Sequence, residues 1–218
     1  RYNGKIMFKT TLEENLGGFA SAVDKVPVKA AVAIDNARVF VADSYGFIRA
    51  FDKVSGKLLW KKFAGYITGG QVFEHNGRVI GVSSNGWLVV VNAEDGKPIT
   101  SITRVGEVSG MPSRVGKLVY FPTRDNSVKV FNLETLSVIK EIRTHGLPRM
   151  ELSSGSYIVN NQPYRLSQFS IFGNHQWSTA IDSEMNGNPA ADDLYVYALT
   201  KAGLLYKINR YYRIKHEK

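Results

Sequence analysis

The chain of 218 residues contains no cysteine, which excludes disulfides, thiolate nucleophiles and cysteine-bound metals. No stretch approaches the roughly 18 consecutive apolar residues of a membrane-spanning helix. Histidine is scarce: His75, His145, His175 and His216 lie far apart, without metal-ligand spacing, and each reads as a loop residue. A Gly-x-Ser-x-Gly elbow and a P-loop are missing, and Gly17-Gly18 and Gly69-Gly70 are too short to cradle a phosphate. Asp192-Asp193 and the acids Asp52, Glu94, Asp95 and Glu134 fall in turns, where a carboxylate serves its own backbone. Ser153-Ser154-Gly155-Ser156 reads as a polar turn. The pattern argues against an enzyme, a metal site and a cofactor site. No signal peptide is visible, and the chain opens at Arg1 inside what reads as a strand, as a mature or trimmed product would.

The formal charge of +9 raises nucleic acid or an acidic membrane as partners. The densest basic run is the tail Arg210–Lys218, and the other cations are spread singly. Without the aromatic pattern of an RNA-binding sheet, a zinc finger or a basic zipper, no nucleic-acid partner is expected.

What the chain does contain is a repeat with a period of 40 residues. Asp43-Ser44-Tyr45-Gly46-Phe47-Ile48-Arg49-Ala50-Phe51-Asp52 aligns with Ser83–Asn92 and again with Thr123–Asn132. Self-similar units of this size, built from short strands, read as blades of a β-propeller. The first unit holds β-rich segments at Lys29–Ile34, Arg38–Ala42, Phe47–Phe51 and Leu58–Phe63. The second repeats them at Gly70–Phe73, Arg78–Val82, Trp87–Val91 and Pro98–Ile102, and the third at Met111–Arg114, Leu118–Pro122, Ser127–Phe131 and Val138–Ile142. Glycines at Gly46, Gly56, Gly86 and Gly96 mark the turns.

Two weaker units follow. One carries segments at Tyr157–Asn160, Leu166–Ile171 and His175–Ser178, and the other at Leu194–Leu199, Gly203–Ile208 and Tyr211–Ile214. Asn3–Phe8 resembles Ser55–Trp60, so the chain starts on the outer strand of a blade. The expectation is an all-β, single propeller domain over 1–218, with an outer strand in 1–10 and four-stranded antiparallel blades at 28–68, 69–108, 109–148, 149–188 and 189–218. About five blades either close on themselves, removing exposed sheet edges, or form part of a larger ring. Thr11–Pro27 is a long connection that reads as spanning a surface or touching a partner. Trp60, Trp87 and Trp177 are expected to pack between blades.

In such blades the first-to-second and third-to-fourth turns lie on one face, and the hairpin and inter-blade loops on the other. The second face gathers Arg104, Arg124, Arg143, Arg149, Arg165 and Lys201 against Glu107, Asp125, Asp182 and Glu184. Arginine is favoured in protein interfaces because its planar fork pairs carboxylates bidentately. These six cations are the candidate partner-binding residues, and an acidic loop or peptide is the candidate ligand.

The turn before the fourth strand carries a family resemblance. Phe51-Asp52-Lys53-Val54-Ser55-Gly56-Lys57-Leu58-Leu59-Trp60 is similar to the repeat of PQQ-like propellers, in which an acid or Asn precedes a small turn, Gly-Lys, apolar residues and Trp. Val91–Lys97 matches it but ends in Pro98-Ile99-Thr100, Phe131–Leu136 lacks the Gly-Lys, and His175-Gln176-Trp177 restores the tryptophan. No Gly-His followed by Trp-Asp is present, so the repeats do not resemble WD40 units.

The resemblance implies one of two kinds of protein. Quinoprotein dehydrogenases enclose pyrroloquinoline quinone and calcium, whereas BamB-like scaffold propellers bind other proteins without catalysis. The chain is shorter than the eight-bladed members of both kinds. It also lacks the vicinal cysteine pair of many quinoprotein dehydrogenases. The resemblance therefore implies a non-enzymatic protein-interaction scaffold without cofactor, a subunit of an envelope assembly in the bacterial periplasm. Its membrane association would be indirect or through a lipid anchor outside this chain. The alternative is a propeller binding a small molecule, quinone or calcium.

Overall fold

The computed structural model describes residues 4–9, 13–14, 24–25, 32–43, 45–65, 71–83 and 85–211. Gly17-Gly18, Gly69-Gly70, His216, most of the Thr11–Pro27 connection and the basic tail beyond Tyr211 lie outside the described residues. Among the described residues there is no helix; the chain forms strands in two compact units, Arg1–Arg104 and Val105–Lys218.

The first unit begins with a short antiparallel pair, β1 (Glu13–Glu14) and β2 (Asp24–Lys25). Two four-stranded antiparallel meanders follow. One comprises β3 (Ala33–Ile34), β4 (Arg38–Ala42), β5 (Phe47–Asp52) and β6 (Leu58–Phe63). The other comprises β7 (Val72–His75), β8 (Arg78–Val82), β9 (Trp87–Asn92) and β10 (Pro98–Arg104).

The second unit holds three sheets: β11 (Ser113–Val115), β12 (Leu118–Thr123), β13 (Ser127–Asn132) and β14 (Ser137–Arg143); then β15 (Met150–Ser153), β16 (Ser156–Gln162), β17 (Arg165–Ser170) and β18 (His175–Ala180); last β19 (Ala190–Ala191), β20 (Tyr195–Leu199) and β21 (Leu205–Asn209). Each sheet is a meander of the β-propeller blade type, and the fold class is the all-β propeller read from the repeat.

Burial along the strands follows from this stacking. β5, with Ile48, Arg49, Ala50 and Phe51 all buried, is covered on both faces, while the outer strand β6 alternates between exposed and half-buried. In the first unit Phe40, Ile48, Ala50, Val72, Val79 and Val91 form one core, with Trp60 packed against it. In the second, Tyr120, Val130, Tyr157 and Val159 join the first two sheets, and Ile158, Leu166, Ile181 and Val196 the last two. Each such side chain contributes about 1.5–3 kcal/mol when fully removed from water. The third-to-fourth strand pairs slip register at matching places, between Ala50 and Phe51, Val130 and Phe131, and Gln168 and Phe169. A recurrent bulge of this kind turns the outer strand without ending its pairing.

Several readings are corrected. The inner strands β15 and β19 were not expected. Trp87 does not pack between blades: it opens β9 at the hairpin end and is 42% exposed. His75 closes β7 and His175 opens β18, so neither is a loop residue. Arg210, the first residue of the basic run read as the tail, is buried: its backbone N–H is held by the Leu194 carbonyl at 2.9 Å and its guanidinium is turned inward.

Candidate functional site

The hairpin and inter-blade loops of the second unit are tied to each other by a repeated device. Arg124, in the β12–β13 hairpin, donates its backbone N–H to the Glu107 carbonyl at 2.8 Å and its Nε to Glu107 Oε1 at 2.7 Å. Lys201, in the β20–β21 hairpin, repeats both contacts with Glu184. Lys201 holds the Glu184 carboxyl below its ordinary range, first through the hydrogen bond and then through its charge.

The middle sheet uses an amide instead. Asn160 Nδ2 donates to the carbonyls of His145 and Leu147, both at 3.1 Å, and Asn160 Oδ1 accepts the Arg149 N–H at 2.6 Å. One side chain thereby fixes the whole connection 145–149. A loop held by three bonds loses less conformational entropy on binding than a free one.

Beside this connection lies a cleft of about 240 Å³, lined by residues that include His145, Leu147, Arg149, Tyr164, Arg165 and Lys201. Its floor is apolar, with Ile181 and Met185 only 6% and 5% exposed. Arg149 comes from the inter-blade connection, Arg165 from the start of β17 and Lys201 from the last hairpin. Three of the six candidate cations thus meet at one place. Arg149 is half-buried and Arg165 exposed, and no described residue pairs with either guanidinium.

The remaining candidates are elsewhere. Arg124 is occupied by Glu107, and Arg143, 89% exposed, lies 3.6 Å from Glu141 at the end of β14. Arg104, in the first unit, stacks its guanidinium over the Trp87 ring at 5.5 Å and points Nε to the Asn85 carbonyl at 3.4 Å. A cation over an indole face is attracted by the ring quadrupole.

The turn carboxylates divide: Glu134 meets Lys117 Nζ at 2.6 Å, whereas others serve their own backbone. Asp52 accepts from the N–H groups of Val54 and Ser55 at 3.1 and 2.7 Å, and Asp192 from those of Leu194 and Tyr195 at 2.8 and 2.6 Å. Asp193 instead reaches a neighbouring sheet and accepts from Ser154 Oγ at 2.6 Å. Among the described residues no group of three His, Asp or Glu side chains could hold a metal ion. Sequence reasoning missed Asn160 and Tyr164. The only sequence signal for Asn160 was its place at the end of the β-rich segment Tyr157–Asn160.

The family described as outer membrane protein assembly factor BamB matches residues 45–157. Outer membrane protein assembly factor BamB of Shewanella oneidensis is 28% identical over 117 residues, which cover 47% of this chain and 29% of that protein. The crystal structure of BamB from Moraxella catarrhalis shares the fold with a TM-score of 0.63 at 14% identity, over 87% of this chain and 60% of its own. The computationally designed Ika8 protein is similar to the same degree, with a TM-score of 0.63 at 14% identity over 86% of this chain and 59% of its own. The chain thus spans less than a third of the curated relative and about three fifths of the solved BamB.

Proposed function

The chain belongs to the BamB family of PQQ-like repeat propellers, and from that premise we propose that it is a non-enzymatic scaffold in a bacterial outer-membrane assembly. Its place is the periplasm, and its partner is a protein that presents an acidic loop or peptide to the hairpin and inter-blade face. The observation that carries this reading is the convergence of Arg149 from the β14–β15 connection, Arg165 from the start of β17 and Lys201 from the β20–β21 hairpin around one preformed cleft. Arg124, Arg143 and Arg104 extend the same basic character to other hairpin ends. Fixed loops on a sheet scaffold are suited to docking because little ordering remains to be done on contact.

The test is capture from bacterial envelope extract with the purified chain as bait, read by mass spectrometry. An outer-membrane assembly component should be recovered. Joint replacement Arg104→Glu, Arg124→Glu and Arg149→Glu should abolish that recovery with the melting temperature unchanged. Retained capture overturns the reading, and a quinone or calcium ion co-purifying with the chain would favour the ligand-binding alternative.

A further inference from the structure

We propose that the cleft between the β16–β17 and β20–β21 hairpins is a binding site for a phosphate monoester. The charge count sets the ligand class. Glu184 already meets Lys201, so the positive charge left to the cleft is that of Arg149 and Arg165. One peptide carboxylate would leave one of these guanidiniums unmatched. A phosphate monoester carries close to two charges and three acceptor oxygens, which suits two planar forks.

The surroundings favour the same ligand. The cleft, about 240 Å³, is smaller than the roughly 300–1,000 Å³ of sites for drug-sized ligands. It therefore suits one compact group. Its floor of Ile181 and Met185 is apolar, and a charge pair above an apolar floor is screened less than one on an open surface. Asn160 keeps Arg149 at the cleft through the backbone, without engaging its guanidinium. Tyr164 and Gln162 add neutral donors at the wall.

The site uses the cleft on which the scaffold reading also rests, but its test needs no protein partner, so its failure is distinct from failure of capture. Inorganic phosphate is titrated into the purified chain by calorimetry, and binding to phosphatidylcholine vesicles with and without phosphatidic acid is followed by co-sedimentation. Saturable phosphate binding is expected, weakened about tenfold by Arg149→Gln and likewise by Arg165→Gln, since each removes one fork. Arg143→Gln, outside the cleft, should change nothing. Vesicle binding that needs both phosphatidic acid and Arg149 assigns the phosphate to a lipid headgroup; phosphate binding without vesicle binding assigns it to a soluble monoester. Absence of saturable binding in both arms overturns the proposal. So does binding indifferent to Arg149→Gln and Arg165→Gln, or weakened equally by Arg143→Gln, which would mark diffuse charge.

Discussion

The indole of Trp60 lies directly on Gly96: a Cβ built on that glycine would stand 2.7 Å from Trp60 Cε3. The same indole donates Nε1–H to the Ala93 carbonyl at 3.0 Å. An outer-strand residue of one sheet is thereby fastened to the third-to-fourth turn of the next. The contact recurs with other chemistry. Phe8 rests on Gly56, where an added Cβ would come within 2.5 Å of its ring, and Lys140 Nζ donates to the carbonyls of Phe172 and Gly173 at 3.3 and 3.1 Å. Phe8 therefore occupies, towards Gly56, the place that Trp60 occupies towards Gly96, as the likeness of Asn3–Phe8 to Ser55–Trp60 requires.

Gly96 combines this close approach with φ +70°, whereas Gly77 has φ +72° and open space around its Cα. Gly77→Ala should therefore cost about 1–2 kcal/mol, the left-handed penalty alone. Gly96→Ala should cost about 1–3 kcal/mol more, because Trp60 must move. Denaturant titration of both variants measures the difference. Equal costs would mean that the indole yields freely and that the contact is not a constraint.

The alternation of turns and strands was legible because each blade repeats one local pattern, and Arg38–Ala42, Leu58–Phe63 and Arg78–Val82 form strands over the expected residues. The inner strands β15 and β19 were not, since Met150-Glu151-Leu152-Ser153 and Ala190-Ala191 lack β-branched residues and owe their conformation to neighbours. The candidate cations were grouped from the sequence by their places at hairpins and inter-blade connections, and Arg104, Arg143 and Arg165 stand at strand ends there. Their division was not legible: ion pairing with Glu107 or Glu184 depends on which connection each hairpin meets, a relation between segments distant in sequence.

Arg210 is the clearest case of such a distant relation. At 2% exposure its guanidinium has no carboxylate partner among the described residues but donates to five acceptors. They are Gln168 Oε1 at 3.2 Å, Ser153 Oγ at 3.0 Å, Ser153 O at 2.8 Å, Ser156 Oγ at 2.7 Å and the Asp192 carbonyl. Arg210→Met should destabilise the chain by about 3 kcal/mol or more, because several buried acceptors lose their donor together. Arg210→Lys should recover little, since one ammonium cannot span the fork. Urea midpoints decide this, and full recovery by lysine would show that charge alone matters.

Two ion pairs of similar length should differ sharply in weight. Arg124 and Glu107 are 59% and 55% exposed, so Glu107→Gln should change stability by no more than about 0.5 kcal/mol. Arg49 and Asp43, 2.8 Å apart, are 4% and 0% exposed. Asp43→Ala should cost about 3–5 kcal/mol, because it takes a carboxylate away from a buried guanidinium. It also removes the acceptor of the Tyr45 and Phe47 N–H groups at 2.9 and 3.0 Å. Comparable losses from the two variants would refute the burial argument.

Asp125 sets a pH window for the second unit. Burial pushes its carboxyl upward, but hydrogen bonds from Lys129, Thr123 and Ser127 outweigh it and bring the pKa from 3.8 down to about 2. Lys129 Nζ lies 2.8 Å from Oδ2, and Thr123 Oγ1 and Ser127 Oγ lie 2.5 and 2.7 Å from Oδ1. A carboxyl whose folded pKa is depressed stabilises the fold fully above the unfolded value, and that contribution fades as pH falls through the folded value. The stability difference between the native chain and Asp125→Asn should therefore be constant above about pH 5. It should shrink between the ordinary value of 3.8 and about 2. Thermal melts of both proteins across this range test the assignment, and a difference that stays constant down to pH 2 would place the depressed carboxyl elsewhere.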